Sequence, residues 1–388
     1  MRVDPVRALL VALAVLAAVS LGLVTHAPNR LVSGVPVGLG AAVALPATGW
    51  PLGLGIASAA VLLAGMLLPG RGAWNWLLIA AAGVFAAALL WWAGSCAETL
   101  AGRGAPSART GLGAGCWVLL GSALLLAQDS AGRLRLGLGA TAAAGLLVLA
   151  PLALVLALGG ADGLSLAREY ANQRDIFLPS VLRHLEIVAA ALAPTLLIGV
   201  VLGVAAMRRP QLGHALYPVL NIVQTIPSIA MFGLLIAPLS GLGALFPASG
   251  ISGIGLTPAV IALFLYSLLP IVRNTQTGLE GVPSAARDAA TGMGMTPRQL
   301  FWQVEVPLAL PVFLAGLRIT AVQAIGLAAV AALIGAGGLG SIMFRGLFAN
   351  AGDLVLLGAI PIILLAVLVD FSLRLLSSLV ARTTESPA

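Results

Sequence analysis

The chain has 388 residues, of which 60% are hydrophobic and only 9% are charged. Because a soluble domain carries roughly a quarter charged residues, this composition excludes an aqueous globular fold and indicates a protein that lies in the bilayer. The net charge of +7 comes from arginines scattered between apolar runs, which argues against a nucleic-acid-binding protein and is typical of the connections between membrane spans.

A membrane-spanning helix needs about 20 mainly apolar residues, and the sequence holds ten such segments. In chain order they cover about 6–25, 52–70, 74–93, 113–128, 136–158, 181–207, 212–237, 254–273, 305–335 and 354–380. We expect breaks in the seventh at Pro218 and Pro227, and a start of the eighth near Pro258. The sequence therefore predicts an all-α polytopic membrane protein with about ten transmembrane helices.

The first segment has two interpretations. Arg2 and Arg7, followed by an apolar run to Val24, are also typical of a secretory signal peptide. The run is long and no convincing small-x-small cleavage site follows it, so we expect the segment to be retained as the first span.

Arginines in the short connections predict the orientation. With the N-terminus inside, twelve arginines fall on the inner side, seven fall on the outer side and Arg318 lies within a helix. Ten spans then place both termini in the cytoplasm, together with the polar segment 283–303.

A polar outer segment, residues 161–180, divides the chain and is expected to form an ordered lid. Residues 1–160 hold about five Ala/Leu/Gly-rich helices with little polar content, which we interpret as an accessory membrane domain. Residues 181–382 hold the interpretable motifs and are predicted to be the transport core, and 383–388 form a cytoplasmic tail.

The segment 283–303 favours two short helices between apolar spans. Pro283 suits the first turn of a helix, the Ala-rich residues 284–291 favour the helical state, and Gly292 and Gly294 are typical of a C-terminal cap.

A second short helix is predicted to follow directly. Thr296, Pro297 and Gln299 have the spacing of a capping box with proline at the first helical position. We expect a rigid pair of short helices beneath the bilayer.

The spacing of residues across this segment resembles a known pattern. Asp288-Ala289-Ala290, three residues, Gly294, nine residues, Val304, one residue and Val306-Pro307 follow one another. Membrane subunits of ATP-driven importers carry Glu-Ala-Ala, Gly, Ile and Leu-Pro at this spacing, on the cytoplasmic loop that docks into the ATPase.

The resemblance implies a coupling role for seven residues: Ala285, Ala286, Asp288, Ala289, Ala290, Gly294 and Pro307. The four alanines are expected to leave a slim surface that enters a groove on the partner, while Asp288 meets a basic or backbone N–H group. The alternative is an ordinary interfacial hairpin between two spans.

Polar residues inside the spans have two interpretations. Asn221, Gln224, Thr225 and Ser228 surround Pro227, and Gln323 lies in the ninth span. They either line a translocation path or form hydrogen bonds between helices, and the sequence does not decide between the two.

Ionisable residues within spans are expected to be structural here. His184 and Glu186 lie near the outer end of the sixth span, where a wet interfacial position is favoured over a gate. Arg318 either extends towards the cytoplasm or pairs with Asp370, which falls at a similar depth.

Two further features of the sequence give weaker indications of function. The run 335–340 superficially resembles a dinucleotide loop but follows a membrane helix, so it predicts a turn or short re-entrant segment at the outer face. Cys96 and Cys116 flank an outer loop, where a disulfide is one alternative, and two cysteines provide no metal framework.

Several stretches resemble a transporter family. Residues 221–239, 257–275 and 331–347 are similar to permeases of osmoprotectant (glycine betaine/choline) ABC importers. Residues 26–34 and 168–177, with the extra N-terminal helices, resemble the long YehY-type variant found in bacterial inner membranes.

The resemblance implies a type I importer fold with a MetI-like core in the C-terminal half. Its expected partners are two copies of a cytoplasmic ATPase, a second permease that is a copy or a paralogue, and a periplasmic binding protein. The chain itself is expected to bind no cofactor and to catalyse nothing, because ATP and Mg belong to the partner and no GxxxxGK[ST] motif is present.

Other functions remain open at this stage. The chain could serve an ABC importer of another small solute, such as an amino acid or a sulfonate. An ion-coupled secondary transporter would need intramembrane acids in the core and inverted repeats, and the sequence shows neither.

Overall fold

Long apolar helices make up most of the chain, as the composition requires. The computed structural model describes residues 4–29, 32, 34–45, 49–67, 72–103, 107–134 and 136–384. The chain divides into two units, Met1–Asn172 (unit 1) and Gln173–Ala388 (unit 2). Among the arginines counted for orientation, Arg2, Arg30, Arg71 and Arg135 lie outside the described residues, as do residues 385–388 of the predicted tail.

Unit 1 contains seven described helices and three strands. The helices are α1 (Pro5–Ser20), α2 (Leu39–Val43), α3 (Gly49–Leu67), α4 (Gly72–Arg103), α5 (Ala114–Arg133), α6 (Leu138–Ala157) and α7 (Ser165–Asn172). The strands are β1 (Val24–Ala27), β2 (Val35–Val37) and β3 (Arg109–Leu112).

Unit 2 contains nine described α-helices. They are α8 (Arg174–Arg208), α9 (Pro210–Thr225), α10 (Ser228–Leu245), α11 (Leu256–Glu280), α12 (Ser284–Gly292), α13 (Pro297–Leu300), α14 (Val306–Val330), α15 (Leu339–Phe348) and α16 (Gly352–Thr384). A π turn, Phe301–Glu305, joins α13 to α14, and 3-10 turns cover Pro247–Ser249 and Ala331–Ile334.

The predicted fold class, a mainly helical polytopic membrane protein, is confirmed. By length and composition, eight described helices are sufficient to cross a membrane, namely α4, α5, α6, α8, α10, α11, α14 and α16. The first two predicted spans correspond to α1 and α3, whose apolar helical parts, Pro5–Ser20 and Gly49–Gly65, are shorter.

The sequence did not predict the small antiparallel sheet of unit 1, whose strand order is β2-β1-β3. Val24 pairs with both Val37 and Leu112. The chain turns tightly at Gly113, where a Cβ atom would lie 2.3 Å from the Gly22 carbonyl oxygen, so only glycine fits there.

Two predicted boundaries were wrong. Residues 161–180 do not form one outer segment, because α7 ends unit 1 and α8 already begins at Arg174. Asp175 in the first turn of α8 favours an early helix start. Pro218 does not break its span but lies within α9, which membrane helices tolerate when freed carbonyls are satisfied nearby.

A buried arginine holds the helices of unit 1 together at one end. Arg7 is 2% exposed, and its Nε lies 2.7 Å from Asp129 Oδ2. Its guanidinium also donates to Asn75 Oδ1 at 3.0 Å and to the Gly65 carbonyl at 3.2 Å. These contacts connect α1 to α3, α4 and α5 in a single network.

Arg133 extends the network to the start of α1. It contacts Asp129 at 2.8 Å and also Asp4, whose side chain caps α1 by accepting from Val6 N at 3.0 Å. The hydrogen bond from Arg133 lowers the pKa of Asp4. We call Asp4, Arg7, Asn75, Asp129 and Arg133 the Arg7 network.

Replacement of Arg7 should destabilise the protein. In Arg7→Ala, Asn75 and Asp129 lose a buried partner, which costs about 3 kcal/mol and should lower the melting temperature of the purified chain by roughly 6–12 °C. Arg374→Ala is the matched control, because Arg374 pairs with Asp370 on an exposed surface and such pairs contribute about 1 kcal/mol or less. Equal shifts in the two variants would contradict this role of Arg7.

Candidate functional site

The segment between α11 and α14 folds as two short helices, as its sequence predicts. We call residues 283–305 the α12–α13 hairpin. Gly294 has φ of +81°, a left-handed conformation that glycine adopts without strain, and it lies in the bend between α12 and α13. Thr296 N donates to Gln299 Oε1 at 2.9 Å and Gln299 N donates to Thr296 Oγ1 at 3.4 Å, so the predicted capping box is confirmed.

An arginine that sequence reasoning missed fixes this hairpin to its neighbours. Arg287 Nε lies 2.8 Å from Glu305 Oε1 in the π turn, and Arg287 Nη2 donates to the Leu279 carbonyl at 2.7 Å. That carbonyl lies in the last turn of α11, where the residue four positions further on is Pro283, which has no N–H. It also accepts a hydrogen bond from Val282 N at 3.3 Å. One side chain thus connects α11, α12 and the start of α14.

Apolar contacts with neighbouring helices of unit 2 support the hairpin. Leu279, Val282 and Ala309 form a buried cluster against which Val204, Met207 and Phe301 pack. The Arg208 guanidinium lies over the Phe301 ring at 5.0 Å, a favourable cation–π distance. The hairpin therefore rests on the ends of α8, α11 and α14.

The exposed face of α12 differs from the predicted one in one position. Ala285, Asp288, Ala289 and Gly294 are exposed, and Ala286 is half-buried. Ala290 is only 1% exposed, so it packs inward and contributes nothing to the predicted four-alanine surface. Its position on α12, about 100° further round than Ala289, turns it towards the supporting core. Pro307 is half-buried in the first turn of α14.

Two exposed apolar side chains of the hairpin were not among the predicted coupling residues. Met293 is 72% exposed and Trp302 is 61% exposed. In the sequence, an apolar side chain in this segment could equally anchor in the bilayer, so Met293 and Trp302 could not be recognised as part of a docking surface.

A helix break at Ile226-Pro227 separates α9 from α10, and a side chain of α11 donates a hydrogen bond to the backbone carbonyl at the break. The Tyr266 hydroxyl donates to the Ile226 carbonyl, and Gln224 Nε2 donates to the Tyr266 carbonyl at 2.7 Å. Thr225 Oγ1 donates to the Ile222 carbonyl at 2.7 Å. Gln224 and Thr225 therefore form structural hydrogen bonds at the break.

The other polar candidates lie on the surface of unit 2. Asn221 on α9 and Gln323 on α14 are exposed, and Ser228 is half-buried at the start of α10. An exposed amide within a membrane helix is unfavourable against lipid, because hydrocarbon offers it no hydrogen-bond partner. These positions fit a surface that meets water or another protein chain.

The sequence predicted that His184 lies at the membrane interface in contact with water, and this prediction was wrong. His184 is fully buried, and its Nε2 lies 3.1 Å from the Ile325 carbonyl oxygen of α14. Because α8 begins at Arg174, His184 lies well inside the packed helix. Glu186 is exposed and pairs with Arg183 at 2.8 Å.

The glycine run 335–340 packs on α8. Arg183 Nε donates to the Ala336 carbonyl at 3.0 Å, and a Cβ atom on Gly338 would lie 3.2 Å from His184 Cα. The run forms a turn, as predicted, and leads into α15.

The remaining candidates are structural. Arg318 pairs with Asp370 at 3.3 Å, which is the second of the two alternatives left open for it. Cys96 and Cys116 are free and buried in one apolar cluster, so they form no disulfide here. Within the described residues, no group of three His, Cys, Asp or Glu side chains is placed to hold a metal ion.

Two family models match the chain. Residues 195–382 match the binding-protein-dependent transport system inner membrane component, and residues 2–167 match the N-terminal domain of the ABC transporter permease YehY. The chain is therefore a membrane transport subunit. It belongs to the binding-protein-dependent transport system inner membrane component family and is the permease subunit of an ABC importer.

Several curated relatives cover the C-terminal half. The osmoprotectant import permease protein OsmW of Salmonella typhimurium is 44% identical over 196 residues, which are 50% of this chain and 86% of that protein. The carnitine transport permease protein OpuCB of Listeria monocytogenes is 40% identical over 191 residues, 49% of this chain and 82% of that protein. The glycine betaine/carnitine/choline permease OpuCB of Bacillus subtilis is 38% identical, over the same shares of both chains.

Among solved structures, the chain is similar to the MetNI methionine ABC transporter in inward-facing conformations. The sequence identity is 24%, the match covers 54% of this chain and 98% of that chain, and the TM-score is 0.47.

Loss of Arg287 should loosen the α12–α13 hairpin without unfolding the protein. In Arg287→Ala, Glu305 and the Leu279 carbonyl lose their shared donor, so we expect faster amide hydrogen–deuterium exchange across residues 284–305. A roughly ten-fold increase corresponds to about 1.4 kcal/mol of local stability. The exposed Arg298 on α13 is the control position, and Arg298→Ala should exchange like the wild type. Unchanged exchange in Arg287→Ala would refute the role given to this arginine.

Proposed function

We propose that the chain forms part of an importer that moves a small osmoprotectant, glycine betaine or a related quaternary ammonium compound, across the bacterial inner membrane by alternating access. The observation that carries the mechanism is the rigid α12–α13 hairpin with its exposed small-residue face. The substrate class is supported by relatives whose names specify osmoprotectant, glycine betaine, choline or carnitine transport.

The hairpin is suited to transmit motion from an ATPase. Its exposed face on α12, formed by Ala285, Asp288 and Ala289, is narrow enough to enter a groove, and Asp288 offers a charge at its edge. Arg287 and the cluster around Leu279 prevent the hairpin from bending separately from α11 and α14. A displacement of α12 by the partner therefore moves whole spans rather than a flexible loop.

The translocation path is proposed to pass the polar residues of α9, α10 and α14. Asn221, Ser228 and Gln323 are the surface candidates, while Gln224 and Thr225 hold the break in shape. Discontinuous helices with polar backbone at membrane depth are typical of the binding region of transporters.

The proposed assembly has two copies of a cytoplasmic ATPase, which carry ATP and Mg, a second permease that is this chain or a paralogue, and a periplasmic binding protein. Both termini and the hairpin face the cytoplasm in this arrangement. The helices of unit 1 are proposed to form an accessory membrane domain, and the helices of unit 2, from α8 onwards, are proposed to form the transport core.

A large side chain on the exposed face of α12 should strongly reduce transport. We expect Ala289→Trp to lower ATP-dependent uptake of labelled glycine betaine at least ten-fold in vesicles that hold the chain with its genomically adjacent ATPase and binding protein. Arg298→Trp is the control, because Arg298 is exposed on α13 and lies outside the α12 face. The uptake in that variant should stay within about two-fold of the wild type.

Two outcomes of this experiment separate mechanism from substrate. Normal uptake by Ala289→Trp would refute coupling through α12. Uptake of another solute but not of glycine betaine by the wild type would refute the substrate class and leave the coupling intact.

If the translocation path passes Asn221, this position should be accessible to water in the assembled transporter. In a chain whose Cys96 and Cys116 are replaced by alanine, Asn221→Cys should react with a membrane-impermeant thiol reagent in the assembled transporter. Val219→Cys should not react, since Val219 is exposed but about 160° away on α9. Equal labelling of both positions would exclude this face as the path.

A further inference from the structure

The aromatic ring of Tyr217 on α9 is held in place by α11. The ring is half-buried, and it packs against an apolar cluster formed by Leu220, Leu268, Leu269 and Val272. Its hydroxyl donates to Gln276 Oε1, and Gln276 Nε2 donates in turn to Glu280 Oε1 at 2.7 Å. Packing and hydrogen bonding together therefore fix the orientation of the ring.

The ring already carries a cation. The Arg273 Cζ atom lies 5.8 Å from the centre of the Tyr217 ring, which is within the range of a cation–π contact. Arg273 is exposed on α11, and among the described residues its guanidinium makes neither an ion pair nor a hydrogen bond. Because a charged side chain within a membrane helix is normally paired and marks a functional position, this arrangement calls for a role in transport.

The contact between Arg273 and Tyr217 is loose. The similar contact of Arg208 with Phe301 is shorter, at 5.0 Å. At an exposed site a cation–π contact favours association only about two- to five-fold. The guanidinium therefore spends an appreciable share of the time away from the ring, and another cation can take its place there.

The carboxylate of Glu280 stabilises a guanidinium that has left the ring. Glu280 is exposed on α11 seven residues after Arg273, which is about 10 Å along the helix and on nearly the same face. Opposite charges at this separation attract each other more strongly near a membrane protein surface than in bulk water. Arg273 thus has a favourable position on either side of the exchange.

Tyr217 also lies next to the proposed translocation path. Asn221 follows it by four residues on α9, which is about 6 Å along the helix and about 40° around it. Asn221 is exposed. A solute that passes Asn221 therefore comes close to the ring of Tyr217.

A quaternary ammonium group is well suited to replace the guanidinium. It carries a full positive charge but no N–H donor, so an aromatic face is its typical partner in proteins. A guanidinium has five N–H donors, which favour water and carboxylates. The exchange therefore moves each cation to the partner that suits its chemistry.

We propose that the ring face of Tyr217 is a cation site on the translocation path, which the Arg273 guanidinium and the quaternary ammonium group of the cargo cover in turn. Tyr217 binds the cation, Gln276 orients the ring, and Arg273 competes with the cargo and so promotes its release. The identity of the cargo, and only that, rests on the proposed function.

Removal of the competing guanidinium tests the exchange. We expect Arg273→Gln to bind tetramethylammonium roughly three-fold more tightly than the wild type. The measurement is a saturation-transfer NMR titration of the purified full-length chain in nanodiscs of phosphatidylethanolamine and phosphatidylglycerol, which contain no quaternary ammonium. Arg298→Gln removes the same charge from the exposed surface of α13 and should bind like the wild type. Equal affinity in the wild type and Arg273→Gln would exclude competition by Arg273.

Two further comparisons in the Arg273→Gln protein test the ring. Tyr217→Phe keeps the ring and should retain the binding of tetramethylammonium, whereas Tyr217→Leu should weaken it roughly five-fold. Without any change at Tyr217, choline should bind at least about three-fold more tightly than its uncharged analogue, in which a tert-butyl group replaces the trimethylammonium group. Undiminished binding in Tyr217→Leu would exclude the ring as the site, and equal binding of the two ligands would exclude recognition of the charge.

These results are separable from the test of the proposed function, because none of them requires the ATPase or the binding protein. Uptake of another solute instead of glycine betaine would refute the proposed substrate class and leave the binding of tetramethylammonium unchanged. Normal uptake of glycine betaine by a chain that does not bind tetramethylammonium at Tyr217 would refute this site alone.

Discussion

A backbone carbonyl freed at a helix end or break has no water to bond with inside a bilayer, and unit 2 meets this constraint with side chains. Tyr266 donates to the carbonyl at the Pro227 break, Arg287 donates to the end of α11, and Arg183 donates to the glycine run. The bonds from Tyr266 and Arg183 also join segments that are 40 and 153 residues apart in sequence. The groups that permit irregular backbone are therefore the same groups that set the relative positions of the helices.

Helix α11 connects the two proposed functional features. Tyr266 and Leu279 are 13 residues apart on this helix, which is about 20 Å along its axis. At Tyr266, α11 donates a hydrogen bond to the α9–α10 break. At Leu279, α11 accepts a hydrogen bond from Arg287 of the hairpin. Motion imposed on the hairpin thus has a continuous helix through which to reach the polar break.

The sequence predicted features that depend on neighbours in the chain and missed those that depend on packing. The spans and the Thr296–Gln299 capping box follow from apolar length and local hydrogen bonding. The Arg287–Glu305 pair joins residues 18 apart, and no local rule selects Glu305 as its partner. Burial of Ala290 and His184 depends on which neighbours cover them, and the strands of unit 1 have only three or four residues, too few for a clear alternation.

The Arg7 network has a consequence for biosynthesis. Arg7 and Asp129 are 122 residues apart, so at about 5–20 residues per second the carboxylate leaves the ribosome roughly 6–24 s after the guanidinium. During this interval the arginine has no acidic partner on α5 and is most stable in the hydrated headgroup region. Helix α1 therefore reaches its final depth in the membrane only after α5 has been made.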